Sequence, residues 1–374
     1  MATVRFVGSQ VCSQCHRSQH AAWTTTAHSD AWATLVDIGQ DTNERCIACH
    51  SVGYGREGGF VDATTTPQLT DVGCENCHGA GGEHIQNPQQ YPLTSSLSSD
   101  LCGGCHQGFH HPTFEQWQES GHAKALETIA EHPYGRDSCL ECHAAESILS
   151  QGEDVVLALQ FDQTPTAVAE NSVTCQVCHG AHGTPNEGQL RAPKSELCLT
   201  CHTTGNTLPG GQPHHAQREV LLGVRGRTAS GDEAIGPNSP HTTAVAARCA
   251  QCHVYQEHPE DPTRENPVNT GHTFSPVIPN SCSECHTETQ ATQLKQAANA
   301  EIEGLLASLN RYLDENDSLY IDPETLTEEQ REDYDIAVFN THLVEVDASG
   351  GVHNLDYART LLETAQSLFQ GLSN

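Results

Sequence analysis

The chain has 374 residues, 48 of them acidic and 17 basic, for a formal charge of −31. A field of that sign disfavours nucleic acid and anionic membrane surfaces as partners and serves solubility first. Hydrophobic residues make up 36% and aromatics 5%, with mean hydropathy −0.50. That is little apolar material for a core in a chain of this length.

In chain order, the opening "MATVRFVGSQ" lacks the apolar stretch of a secretory signal. At Cys12 the first of nine CxxCH motifs begins: CSQCH at Cys12, CIACH at Cys46, CENCH at Cys74, CGGCH at Cys102, CLECH at Cys139, CQVCH at Cys175, CLTCH at Cys198, CAQCH at Cys249 and CSECH at Cys282. The second cysteines are Cys15, Cys49, Cys77, Cys105, Cys142, Cys178, Cys201, Cys252 and Cys285, so all 18 cysteines are used. Histidine fills 24 of 374 positions, and nine correct followers by chance has a probability on the order of 10⁻¹¹. Zinc ribbons, redox CxxC sites and disulfide frameworks do not require histidine directly after the second cysteine. Attachment of c-type haem does: two thiols take the porphyrin vinyls and the next residue sets an imidazole on the iron. The expected cofactors are nine covalently attached haem c, with His16, His50, His78, His106, His143, His179, His202, His253 and His286 as proximal ligands. Covalent attachment takes place outside the cytoplasm, so the expected location is periplasmic or extracellular, with any signal absent from this numbering.

Gly/Pro/Asn-rich connectors such as "HGAGGEHIQNPQQYP" separate the motifs and predict loops. "VVLALQF" at 155–161 predicts one strand. Its run Val155–Leu159 is the longest apolar stretch, far too short to span a membrane. The fold expected for 1–290 is a nine-haem core of loops and short α-helices with little β, unfolded without its haems.

Residues 291–374 read as a helical region packing on that core. Leu294, Ala298, Ile302, Leu305, Leu309 and Tyr312 recur at helical spacing from Ala291 to Leu313. Thr327 and Gln330 form a capping-box pair for a second helix. Asn354 caps a third, with Leu355, Leu361, Leu362, Ala365, Leu368 and Phe369 on one face and Gly371 as its stop. The acidic run between Asp314 and Asp335 is a solvated face.

Each iron needs a second axial ligand. Met1 is the only methionine and is terminal, which excludes His–Met ligation, while fifteen histidines lie outside the motifs. "CSQCHRSQHAAWTTTAHSDAW" and "CGGCHQGFHHPTFEQWQESGHAKAL" resemble the CxxCH…W…S/T-x-HA segments of the multihaem cytochrome c superfamily. Tetrahaem electron carriers of ammonia oxidation, hydroxylamine oxidoreductase, pentahaem nitrite reductase and octahaem tetrathionate reductase belong to it. "CQVCHGAHGTPNEGQLRAPKSELCLTCH" is similar to its doubled-CxxCH module, and "GGVHNLDYARTLLETAQ" to its C-terminal helix.

Carried over position by position, the resemblance implies distal ligands at His28, His84, His111, His122, His182, His214, His241, His272 and His353. His110 is the rival of His111, and His215 of His214. His20, His132, His258 and His342 read as packing or surface, and Trp23, Trp32 and Trp117 as packing against porphyrin. The function implied is electron transfer through bis-His haems, as a shuttle or as a subunit of a conduit or filament. Partners would be other redox proteins, cytochromes or further copies of the chain, and an axial histidine from a neighbouring copy is one option. The other class is a multihaem oxidoreductase with one open-site haem. No motif here is CxxCK, which departs from the nitrite reductase pattern, and enough histidines exist to saturate every iron, so no catalytic haem is expected.

Overall fold

A computed structural model describes residues 5–132, 137–150, 169–203, 212–245 and 248–373. The strand expected at 155–161 lies outside them. Short helices and loops dominate, with one two-stranded hairpin among the described residues. No helix there is long and apolar enough to cross a membrane. The chain divides into two units, residues 1–193 with 256–273, and 194–255 with 274–374.

In the first unit the CxxCH motifs fold as single helical turns. The His16, His106 and His179 N–H groups donate to the carbonyls of Cys12, Cys102 and Cys175 at 2.9 Å. Spacings of three and four residues share one face of a helical turn, so the two thiols and the imidazole point the same way. A small apolar cluster of Phe6, Leu35, Ile47, Val52, Phe60 and Leu69 supports the first motifs.

Two halves of this unit repeat one construction. The indole N–H of Trp23 donates to the Val72 carbonyl at 3.0 Å, and that of Trp117 to Val173 at 2.9 Å. Val72 N–H donates to the His28 carbonyl and Val173 N–H to that of His122. Ser9 Oγ accepts from Cys74 N–H, and Ser99 Oγ from Cys175 N–H, both at 3.2 Å. His50 Nδ1 faces the Ala31 carbonyl as His143 Nδ1 faces that of Ala125. Motifs one to three and four to six are therefore a tandem duplication, each half tied by a tryptophan to the backbone two residues before its third motif.

The second unit holds the main apolar core. It contains the helices Gln217–Leu222, Pro240–Ala244 and Cys249–His253, a hairpin pairing Gly226–Arg227 with Glu233–Ala234, and three long helices, Glu288–Asn310, Glu328–Asp347 and Leu355–Leu372. Thr327 and Gln330 form the expected capping box and Asn354 caps the last helix. A second box, Thr287 with Gln290, starts the first long helix three residues before Ala291. Leu294 is 56% exposed: it falls on the solvent side, because the buried stripe runs through Ala291, Ala298, Ile302 and Leu309. Gly371 does not stop the last helix, which continues through Leu372.

The apolar faces of the three long helices meet one another and the helix Gln217–Leu222, through Val220, Ile302, Leu309, Leu343, Leu361, Leu362 and Phe369. Three amphipathic faces supply enough apolar area to cover themselves. Polar groups fasten the hairpin to this bundle. Tyr357 Oη accepts from Gly226 N–H and donates to the Ala234 carbonyl, both at 2.8 Å. The fully buried Asn340 side chain takes both backbone groups of Arg227, like a neighbouring strand. Arg359 bridges Glu301 and Asp356 on the surface.

Candidate functional site: the CxxCH turns and their facing histidines

None of the 18 cysteines is in a disulfide, and cysteines of different motifs lie side by side. Cys12 lies beside Cys74, and Cys102 beside Cys175 in the equivalent position of the second half. In the second unit Cys198 lies beside Cys249. Cys49 likewise lies near Cys105. Attachment points far apart in sequence are thus neighbours in space.

The histidines pair across these turns. Ring centroids are 6.3 Å apart for His16 and His84, 6.0 Å for His28 and His106, and 6.0 Å for His78 and His182. The separation is 6.2 Å for His179 and His272, and again 6.2 Å for His253 and His353. Each pair joins one motif histidine to one histidine outside the motifs. A metal–imidazole bond of about 2.0 Å on either side of one ion places two ring centroids roughly 6 Å apart, so one iron fits between the rings of each pair.

Hydrogen bonds prepare the rings for ligation. The Nδ1 atoms of His50, His78, His84, His143, His179, His241, His253 and His272 each face a backbone carbonyl. An Nδ1–H donating to a carbonyl fixes the tautomer that leaves the Nε2 lone pair for a metal. Burial, first among the causes, lowers the pKa of His28, His106, His179, His182 and His253, and that of His272 to about 4. Neutral imidazole is the form that binds iron. The donor set and its geometry therefore fit haem.

Several of these positions depend on tertiary links. Residues 256–273 are stitched to 109–116: Val268 N–H donates to the Phe109 carbonyl at 3.0 Å, and Gln116 bonds Val268 and Thr270. The link delivers His272 to His179. His353 is held by Asp347 at 2.6 Å. Burial opposes protonation of His353, but the hydrogen bond and charge of Asp347 more than offset it and raise its pKa.

The remaining candidates are placed as follows. The His202 ring lies 5.6 Å from His215, with His214 3.8 Å beyond as its neighbour. Burial first, then the neighbouring His106, His110 and His50, lower the pKa of His111, and His110 packs on Phe109 at 4.1 Å. His241 is the second residue of the helix that Ser239 caps, its Nδ1 2.9 Å from the Val352 carbonyl. His122 lends its carbonyl to Val173, and His286 ends the ninth turn, its N–H on the Cys282 carbonyl at 3.0 Å. His20 packs 5.4 Å from Trp23, and His342 pairs with Glu345. Trp32 packs on Phe60 at 4.9 Å.

Helical CxxCH turns with facing imidazoles, in a fold of loops and short helices, define a multihaem c-type cytochrome. The chain belongs to the multihaem cytochrome c superfamily. Residues 11–79 and 101–180 match the family described as cytochrome c554 and c-prime, and residues 166–207 match the doubled CXXCH motif. The two c554 matches fall on the two halves of the duplication.

Cytochrome c-554 of Nitrosomonas europaea is 34% identical over 141 residues, 29% of this chain and 60% of that protein. The multiheme cytochrome MtrA of Shewanella baltica is 24% identical over 184 residues, 42% of this chain and 52% of that protein. The matched regions thus span no more than 60% of these two curated relatives. The outer cell wall cytochrome OcwA superposes with a TM-score of 0.70 at 20% identity, covering 98% of this chain and 100% of that one. An undecaheme cytochrome from the S-layer of Carboxydothermus ferrireducens superposes at 0.66 with 19% identity, covering 100% and 70%. Both structures share the fold.

Proposed function

We propose that the chain binds nine covalently attached haems and serves as an extracytoplasmic electron-transfer protein, a shuttle or a subunit of a longer conduit. The observation that carries this reading is the set of five facing histidine pairs at 6.0–6.3 Å. The pairs His16/His84, His106/His28, His78/His182, His179/His272 and His253/His353 are assigned as axial ligands. His202 is assigned to His215 on the 5.6 Å approach, with His214 as its neighbour. His50, His143 and His286 draw their partners from His111, His122, His214 and His241.

Bound haem supplies a one-electron redox centre, and bis-His ligation favours lower potentials than His–Met. The chain's own part is to anchor, orient and space the groups. Paired thiols such as Cys12/Cys74 and Cys102/Cys175 set neighbouring attachment points side by side. Nδ1 hydrogen bonds to backbone carbonyls hold eight of these rings in a ligating orientation. Redox proteins, cytochromes or further copies of this chain are the partners this role requires, and relatives named for an outer cell wall and an S-layer support a location outside the cytoplasm.

Two measurements test the proposal. Intact mass of the matured protein should exceed the polypeptide mass by nine haem equivalents, and eight or fewer would break the account of all 18 cysteines. Carbon monoxide added to the reduced protein should give no adduct. A stoichiometric adduct at one haem, with nitrite or hydroxylamine turnover, would overturn electron transfer in favour of an open-site enzyme.

A further inference from the structure

One candidate ligand is held differently from the eight whose Nδ1 faces a backbone carbonyl. His353 Nδ1 donates to Asp347 Oδ1 at 2.6 Å. The Asp347 side chain is 1% exposed, and its other oxygen accepts from Ser349 Oγ at 2.5 Å. The Ser349 hydroxyl in turn accepts from the His353 backbone N–H at 3.2 Å. Asp347 is the last residue of the helix Glu328–Asp347, where the negative end of the helix dipole adds to the carboxylate's charge. Behind His353, therefore, stands a buried, oriented anion, where the other eight rings have a neutral carbonyl.

We propose that Asp347 is a positioning and tuning residue that makes the haem held between His253 and His353 lower in potential than it would be with a neutral acceptor. The inference rests on the axial assignment of that pair. A carboxylate accepting the Nδ1–H raises the basicity of the ring, which makes it a stronger donor through Nε2. A stronger donor favours the ferric over the ferrous form, and hydrogen bonding to an axial ligand is one of the levers by which a protein sets haem potential. Ser349 moderates the effect: its O–H withdraws electron density from the same carboxylate. Among the haems, this lever bears on the one held between His253 and His353 alone.

The test is an EPR-monitored redox titration of the full holoprotein. Replacing Asp347 with Asn keeps an acceptor near the ring but removes the charge. One haem should then shift upward in potential by about tenfold in its reduction equilibrium, or 59 mV for a one-electron centre, while the others stay in place. Ser349→Ala should move the same haem downward, because the carboxylate then bears wholly on His353. Asp347→Glu should restore much of the parent value. Packing damage alone would push the Asn and Ala variants in the same direction, and that result, or an unmoved potential in Asp347→Asn, overturns the proposal. If Asp347→Asn loses the low-spin signal, Ser349→Ala decides: a downward shift sustains the proposal, and no shift or an upward one sinks it. His353→Ala separates the two levels of the argument. It should convert the same haem to high spin, and unchanged spin states would remove the axial assignment itself rather than the tuning.

Discussion

Glu75 lies inside the third motif, CENCH, and is 4% exposed. Its carboxylate accepts Val7 N–H at 3.0 Å to each oxygen, Gly8 N–H at 2.8 Å and Gly81 N–H at 2.7 Å. The side chain thereby ties the turn holding Cys12, the turn holding Cys74 and the loop that leads to His84. Gly8 has φ +83, and a Cβ there would meet the Gln68 carbonyl at 2.5 Å, so this strap has little room to move. Glu75→Ala leaves three backbone donors without their acceptor. Hydrogen bonds to a charged group are worth about 1.5–3 kcal/mol each. Water can reach part-exposed Val7, so we expect a local cost of roughly 3–6 kcal/mol. Glu75→Gln turns an NH₂ toward one of the donors and should cost about 2–3 kcal/mol. Hydrogen exchange of the holoprotein is the assay, since covalent haems hold the rest of the chain while this strap opens. Protection at Val7, Gly8 and Gly81 should fall by roughly 10²-fold or more in Glu75→Ala and by less in Glu75→Gln. Protection within threefold of the parent in both variants would refute the reasoning.

Three further outcomes follow from the contacts. Tyr357→Phe leaves the Gly226 N–H and the Ala234 carbonyl unpaired and should destabilise the hairpin by about 1–3 kcal/mol, seen as faster exchange at Gly226 and a lower Tm. Trp117→Phe removes the indole donor to Val173 and should loosen the turn at Cys175; unchanged exchange at Val177 and His179 would show that the bond is dispensable. His215→Ala should convert one low-spin haem to high spin, and if His214→Ala does so while His215→Ala does not, the partner of His202 is His214.

The spacing C-x-x-C-H determines by itself a helical turn with two thiols and an imidazole on one face, because three- and four-residue separations coincide only there. It also identifies the cofactor. The capping pair Thr327/Gln330 and the Asn354 cap were legible for the same reason: they are local hydrogen-bonding patterns a few residues long. Which histidine faces which turn is not local. The separations of motifs one to three are 34 and 28 residues, and those of motifs four to six are 37 and 36, so insertions hide the duplication that the Trp23/Val72 and Trp117/Val173 bonds make plain. His272 reaches His179 only because Gln116 grips a segment some 150 positions away. Helical periodicity placed Leu294 on the apolar stripe, but where the stripe is centred depends on the neighbouring helices, and they left Leu294 in solvent. Asp347 behind His353, and Glu75 beneath the first turn, are acidic residues among 48 in the chain. Only the folded chain buries these two and surrounds them with donors, which makes the charge of one a clamp and of the other a ligand's support.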